Sequence, residues 1–329
     1  MKDQMKITLM ILISAILLLS HSAIADMGSD FMRNTRTIPN EMVSIPDHYR
    51  QPAEHAGTLE KLTYETWESM TYEQHSQRLT KEAWVYVPYG YDPEQKYNIF
   101  YISHGGWSNE TSTLGTADNP KYLKYAIDHA IEDGLMIPMI IVCPTYNNTS
   151  PSDSGSYSLA LELTNNFHNE LLNDLIPAVE GKYHTYADYD TGPEGQRASR
   201  DHRGFGGFSM GSVNTWHTFQ HCLDSFRYFM PMSGNMGDGG WAREVVLASD
   251  WTDQDFFIWT ATGTADFAGS GFASQISSMI TRYGDVFPIA GNEADGNISF
   301  RLREGGDHDE EANFDYTWNA LCWFWNTGE

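Results

Sequence analysis

The chain has 329 residues, of which 44 are acidic and 20 basic, giving a formal net charge of −24. A polyanion is repelled from such a surface over most directions of approach, which excludes nucleic acid and anionic membranes as partners. Three cysteines, Cys143, Cys222 and Cys322, are too few for a disulfide framework and lack the paired spacing of a zinc site, so one bridge at most is open to them, free core thiols are the preferred reading, and no metal is expected.

Lys2 and Lys6 precede an apolar run from Ile7 to Leu19 and the small residues Ala23 and Ala25. This is the pattern of a secretory signal peptide over residues 1–25, too short for a comfortable membrane span, and it predicts a secreted protein, extracellular or periplasmic. Residues 26–56 are polar, with Pro39, Pro46 and Pro52, and read as an extended arm. Residues 57–329 contain no linker, repeat or low-complexity block and fit one large α/β domain.

Within that domain, Leu59 to Trp67 and Lys81 to Val87 alternate and are rich in Thr, Tyr, Trp and Val, as an opening antiparallel pair of strands would be. Strands are then expected at Tyr97–Ser103, Met139–Cys143, Gly204–Phe208, Tyr228–Met232, Phe256–Thr262 and Asn297–Arg303. Helices are expected at Lys121–Asp133, at Phe167 to Val179 with a kink or early end at Pro177, at Ser212–Cys222, near Ala242–Leu247 and Phe272–Arg282, and at Tyr316–Phe324. Alternation of strand and helix implies a mostly parallel sheet with helices on both faces.

Gly207-Phe208-Ser209-Met210-Gly211 follows one of these strands and precedes a helix. A Gly-x-Ser-x-Gly turn in that setting exposes a serine hydroxyl on a sharp elbow, with glycines where a Cβ would collide with neighbouring backbone. Such a hydroxyl needs a histidine to take its proton and a carboxylate to orient that histidine, and in this architecture they follow in the order acid, then histidine. His308, in Glu304-Gly305-Gly306-Asp307-His308-Asp309, is the histidine placed on a late loop, and Asp266, in Thr262-Gly263-Thr264-Ala265-Asp266, is the preferred acid, on a glycine loop after a strand, with Asp238, Asp253, Asp255, Asp285 and Asp295 as competitors. His217 and His221 fall on the helix after the elbow and read as structural or surface residues; Asp307 and Asp309 read as capping the last helix or tuning the loop rather than as the acid. An oxyanion needs backbone donors: Met210 offers the first, and His104-Gly105-Gly106-Trp107 offers the second through the N–H of Trp107 or Gly106, with His104 structural. Trp107 on this loop, with Met232, Met236 and Trp241, could wall a pocket for a planar acyl group.

Taken together, Val85-Tyr86-Val87-Pro88-Tyr89-Gly90-Tyr91, His104-Gly105-Gly106-Trp107, Arg203 to Ser212, Gly263-Thr264-Ala265-Asp266 and Gly305-Gly306-Asp307-His308 resemble carbohydrate esterase family 1, the family of feruloyl esterases related to esterase D. The likeness runs from about Gly57 to Trp325. It implies an α/β-hydrolase fold, no cofactor, Ser209 as nucleophile, His308 as base and Asp266 as orienting acid. One departure is that Trp107-Ser108-Asn109 follows Gly106 at once, where many relatives have a longer glycine run. The resemblance implies a secreted ester hydrolase releasing hydroxycinnamoyl groups from plant cell-wall xylan through an acyl-enzyme. An acetylxylan esterase on the same scaffold and a non-catalytic glycan-binding protein are the alternatives.

Overall fold

The computed structural model describes residues 31–328, so the expected signal peptide and the first residues of the arm lie outside the described residues. Strands β1 (Thr58–Trp67) and β2 (Arg78–Val87) pair antiparallel, from Thr58 opposite Val87 to Trp67 opposite Arg78. β1 buries Leu62, Tyr64 and Thr66 on one face and leaves the intervening residues outward, as its alternating sequence requires of an edge strand.

The interior strands are β3 (Asn98–Ser103), β4 (Met139–Cys143), β5 (Arg203–Phe208), β6 (Tyr228–Met232) and β7 (Phe257–Gly263), with β8 (Ile298–Arg303) at the far edge. β3 to β7 are buried along their whole length, which fits continuous apolar runs covered on both faces. The eight strands lie in the order β1-β2-β4-β3-β5-β6-β7-β8, and all pairings from β4 to β8 are parallel. The fold is the α/β-hydrolase type, with helices α1 (Tyr122–Glu132), α2 (Tyr157–Glu170), α3 (Ile176–Glu180), α4 (Pro193–Ala198), α5 (Met210–His221), α6 (Gly240–Ala248), α7 (Gly269–Arg282) and α8 (Glu310–Leu321) around the sheet.

Strand order sets the position of the site. From β3 the chain moves outward to β4, then returns past β3 to form β5 on its other side. Loops leaving β3 and β5 therefore diverge and open a crevice at the C-terminal ends of these strands. His104 to Trp107 and Ser209 are the residues that leave those two strands.

Between α2 and α3 runs a π-helical turn, Leu171–Leu175, placed just ahead of Pro177. Proline has no N–H to donate to the preceding turn, so the expected kink takes the form of a widened turn and the helix continues to Glu180. Glu180, fully buried, forms a two-pronged pair with Arg203 at the start of β5: Arg203 Nε donates to Oε1 at 2.7 Å and Nη2 to Oε2 at 2.9 Å. Tyr101 and Thr185 hydroxyls also donate to this carboxylate.

Residues from Arg33 onward form one compact unit. Its first stretch has only a short 3₁₀ turn, Asp47–Arg50. It is held by backbone and side-chain hydrogen bonds, among them Ile38 N–H to Gly291 carbonyl (2.7 Å), Arg301 to the Pro39 carbonyl (2.6 Å) and Ile45 N–H to Asp315 (2.8 Å). Among the described residues, no helix is long and apolar enough to cross a membrane.

Candidate active site

Ser209 sits between the end of β5 and the start of α5 with φ 60° and ψ −120°, a backbone conformation that costs a residue with a Cβ about 1–3 kcal/mol. The surroundings hold it there. Its N–H donates to the Met232 carbonyl at 2.9 Å. A Cβ on Gly207 would lie 2.5 Å from the Ser103 carbonyl oxygen and 2.7 Å from Gly211, and one on Gly211 would collide with the same Ser103 carbonyl. Both glycines of the pentapeptide are therefore required by close backbone approach. Ser212 Oγ and Trp216 Nε1 both donate to the Gly234 carbonyl, at 2.6 and 3.0 Å, tying α5 to the loop after β6.

The loops after β7 and β8 are joined to each other: Thr264 N–H donates to the Arg303 carbonyl, Ala265 N–H to the Gly306 carbonyl, and Gly305 N–H to the Thr264 hydroxyl. This places the Asp266 carboxylate against the His308 ring. Asp266 Oδ1 accepts from His308 Nδ1 at 2.8 Å and from the Ala268 N–H at 2.7 Å. Burial alone would raise the Asp266 carboxyl, but hydrogen bonding by His308, Ser233 and the Ala268 N–H, together with the His308 charge, outweighs it and holds the group below its ordinary value. A carboxylate on Nδ1 leaves Nε2 as the free basic nitrogen. The imidazole is gripped between two rings, Phe208 at 4.5 Å and Phe267 at 4.2 Å between centroids. Asp309 caps α8 by accepting from Ala312 N–H at 2.8 Å, and Asp307 accepts from His308 N–H at 2.7 Å.

After β3, His104 is buried and stacked on Tyr146 at 4.2 Å. Burial pushes its imidazole down to about 3, so it is neutral. Its Nε2 lies 2.8 Å from the Thr145 hydroxyl and its Nδ1 2.7 Å from the Gly105 carbonyl, which also accepts from Tyr146 Oη at 2.8 Å. Because a trans peptide carries its C=O and N–H on opposite sides, fixing the Gly105 carbonyl toward His104 and Tyr146 turns the Gly106 N–H the other way. A Cβ on Gly105 would lie 3.6 Å from Ser209 Cβ, so this peptide runs alongside the serine. Of the two expected second donors, Trp107 is already engaged: its N–H donates to the Ser154 carbonyl at 3.0 Å. Among the described residues, neither Gly106 nor Met210 has its N–H taken by a hydrogen bond.

Ser209 opens into a cavity of about 220 Å³ whose wall includes Trp107, Tyr157, Val213, Asn235 and Phe267. Three of these aromatics are strongly exposed: Trp107 by 76%, Tyr157 by 62% and Phe267 by 80%. The expected wall residues Met232, Met236 and Trp241 do not line it. Met232 is fully buried in β6, and Trp241 packs edge-on against Trp216 and Phe219 while its Nε1 donates to the Met236 carbonyl, so both belong to the core under the site. Asn235 follows the same strand and Phe267 follows Asp266, so both were within reach of a loop-by-loop reading. Tyr157 enters from the start of α2, far from every motif, and the sequence carries no signal for it.

His217 and His221 lie along α5 away from this cavity, with His221 stacked on His168 at 4.1 Å. Cys143, Cys222 and Cys322 are buried free thiols. Among the described residues, no group of His, Cys, Asp and Glu is placed to hold a metal ion.

Residues 76–266, more than half of the chain, match the family model described as "Putative esterase". The chain is 36% identical over 288 residues to endo-1,4-beta-xylanase Y of Acetivibrio thermocellus, covering 85% of this chain and 24% of that protein. It is 28% identical over 193 residues to an endo-1,4-beta-xylanase/feruloyl esterase of Xylanibacter ruminicola, covering 56% and 23% respectively. The chain thus spans about a quarter of the length of these curated relatives. Among solved structures, a serine-to-alanine mutant of the feruloyl esterase module from Clostridium thermocellum, complexed with sinapinate, superposes with a TM-score of 0.74 at 34% identity, covering 91% of this chain and 98% of that one. A ferulic acid esterase from Anaeromyces mucronatus shares the fold at 21% identity, with a TM-score of 0.65 over 89% of this chain and 100% of that one.

Proposed function

The chain belongs to the esterase family, and from that premise we propose that it is a serine carboxylic-ester hydrolase that releases ferulate-type hydroxycinnamoyl groups from xylan outside the cell. The observation that carries this reading is the Asp266–His308 hydrogen bond of 2.8 Å on the sheet edge where the Ser209 elbow opens into an aromatic-walled cavity. Ser209 Oγ attacks the ester carbonyl carbon while His308 Nε2 takes its proton. The carbonyl oxygen, now an oxyanion, is received by the N–H groups of Met210 and Gly106. As the intermediate collapses, the bond to the alcohol oxygen breaks and His308 passes the proton to that oxygen, leaving an acyl-Ser209. Water, deprotonated by His308, then attacks the acyl carbon and returns Ser209 with a free carboxylic acid.

The planar, mostly apolar cavity wall of Trp107, Tyr157 and Val213 suits a phenylpropenoyl group better than acetyl, because an acetyl group would leave most of that surface wet. Export rests on the signal-peptide pattern of residues 1–25 and fits a substrate too large to enter a cell. Purified protein is expected to hydrolyse methyl ferulate. Ser209→Ala and His308→Ala are each expected to lower kcat by roughly 10⁴-fold or more. Hydrolysis of acetylxylan with methyl ferulate untouched would reassign the acyl group, and failure of a fluorophosphonate probe to label Ser209 would reject the catalytic reading altogether.

A further inference from the structure

A proton donor marks the place of the group it serves. If His308 passes its proton to the leaving oxygen, that oxygen comes within about 3 Å of Nε2, and the carbon skeleton of the alcohol begins one bond further on. Phe267 occupies this neighbourhood: its ring centroid is 4.2 Å from that of His308, it lines the Ser209 cavity, and it is 80% exposed. Its backbone cannot drift, because the residue before it is Asp266, whose Oδ1 accepts from Ala268 N–H and whose carbonyl accepts from Gly269 N–H at 2.9 Å. The ring lies tilted against the imidazole, and most of its surface faces solvent.

Trp107 differs. It sits on the opposite loop, with its indole against Gly155, where a Cβ would lie 3.5 Å from Cδ1, and beside Tyr157 on the cavity wall. The two exposed aromatics thus sit on separate loops of one cavity, and of the two it is Phe267 that lies against the His308 ring.

We propose that Phe267 is the subsite for the alcohol half, a sugar ring that lays its C–H face on the phenyl ring while its ester oxygen reaches His308. This rests on the serine-esterase reading and adds to it a residue that selects for glycosyl esters over simple alkyl esters. Pyranose and furanose rings present a face of weakly positive C–H groups, which complements the negative face of an aromatic ring. Methanol, the alcohol of methyl ferulate, is too small to cover that face.

The experiment compares kcat/KM on a feruloylated arabinoxylo-oligosaccharide with kcat/KM on methyl ferulate. Phe267→Ala is expected to lower the ratio of the two by about five- to tenfold, chiefly through a higher KM for the oligosaccharide, and Phe267→Tyr to keep it. An unchanged ratio overturns the subsite, whatever happens to the absolute rates, because a residue that only steadies His308 would affect both substrates alike. Calorimetric binding of the same oligosaccharide to Ser209→Ala protein, with and without Phe267→Ala, gives a second reading independent of turnover. Equal affinities overturn the subsite; weaker binding on loss of the ring supports it. Failure of the unaltered protein to turn over either ester would count against the esterase reading and leave the binding comparison to decide the subsite.

Discussion

With its carbonyl accepting from Tyr146 Oη and set 2.7 Å from His104 Nδ1, the Gly105–Gly106 peptide has little freedom to rotate, and its N–H end is kept beside Ser209. His104 thus acts at a distance from the chemistry, by setting the direction of a peptide, and its neutrality keeps a positive charge out of a buried layer. Gly106→Pro deletes the N–H without adding polar atoms. It is expected to lower kcat on methyl ferulate by about 10²- to 10³-fold, the effect of losing one oxyanion donor, with a much smaller change in KM. Steady-state kinetics and a near-native thermal midpoint in the same preparation would check it. Undiminished kcat would mean that the second donor is another group.

At the level of elements, β5 leads into Ser209, the proposed nucleophile, at one end and carries a buried ion pair at the other. Arg203 and Glu180 join the root of that strand to the end of α3, and the Tyr101 and Thr185 hydroxyls complete the carboxylate's hydrogen bonds. Glu180→Gln leaves the Arg203 guanidinium buried without a counter-charge and is expected to destabilise the fold by about 3–5 kcal/mol in urea unfolding, since breaking one half of such a pair exposes the full desolvation cost of the other. The strands were legible in the sequence because the interior ones are unbroken apolar runs and the edge pair alternates. The starts of the helices were less so. α2 begins at Tyr157, ten residues before Phe167, where the expected helix starts; its first turns bury Ala160 and Leu163 on the same face as Phe167, a short stripe interrupted by the polar Ser158, Glu162 and Asn165. α8 begins at Glu310; of the two aspartates expected to cap it or tune the loop, Asp309 is the cap, while its first turn, Glu310 and Glu311, has no apolar signal. The short α4 was not anticipated at all. At the site, Ser209, Asp266 and His308 stood out by order and by glycine context, and the structure brings the acid and the histidine together. Of the cavity wall only Trp107 stood out, because the wall's members come from five separate segments and share no local pattern.

Taken as a whole, the molecule holds several histidines neutral when folded, one of them, His104, fully inside. Burial holds His104 down to about 3, while partial desolvation and neighbouring histidines hold half-buried His217 and the more exposed His221 down to about 4. Unfolded, each would titrate near 6.5, so below that pH the unfolded chain binds protons that the folded one does not, and stability falls with pH from about 6.5 toward 3. For His104 alone the difference between pH 7 and pH 5 is about 2 kcal/mol. Urea midpoints at the two pH values are expected to differ less in His104→Gln than in the unaltered protein; an equal difference would mean that His104 is protonated in the folded state. The strained backbone of Ser209 has a consequence of another kind. Positive φ at this position suits glycine, so the most heat-tolerant sequence for this fold and the working sequence part company at the proposed nucleophile itself. Selection for thermal survival alone would drift toward an inert protein, and any effort to harden the molecule must screen for turnover at every round.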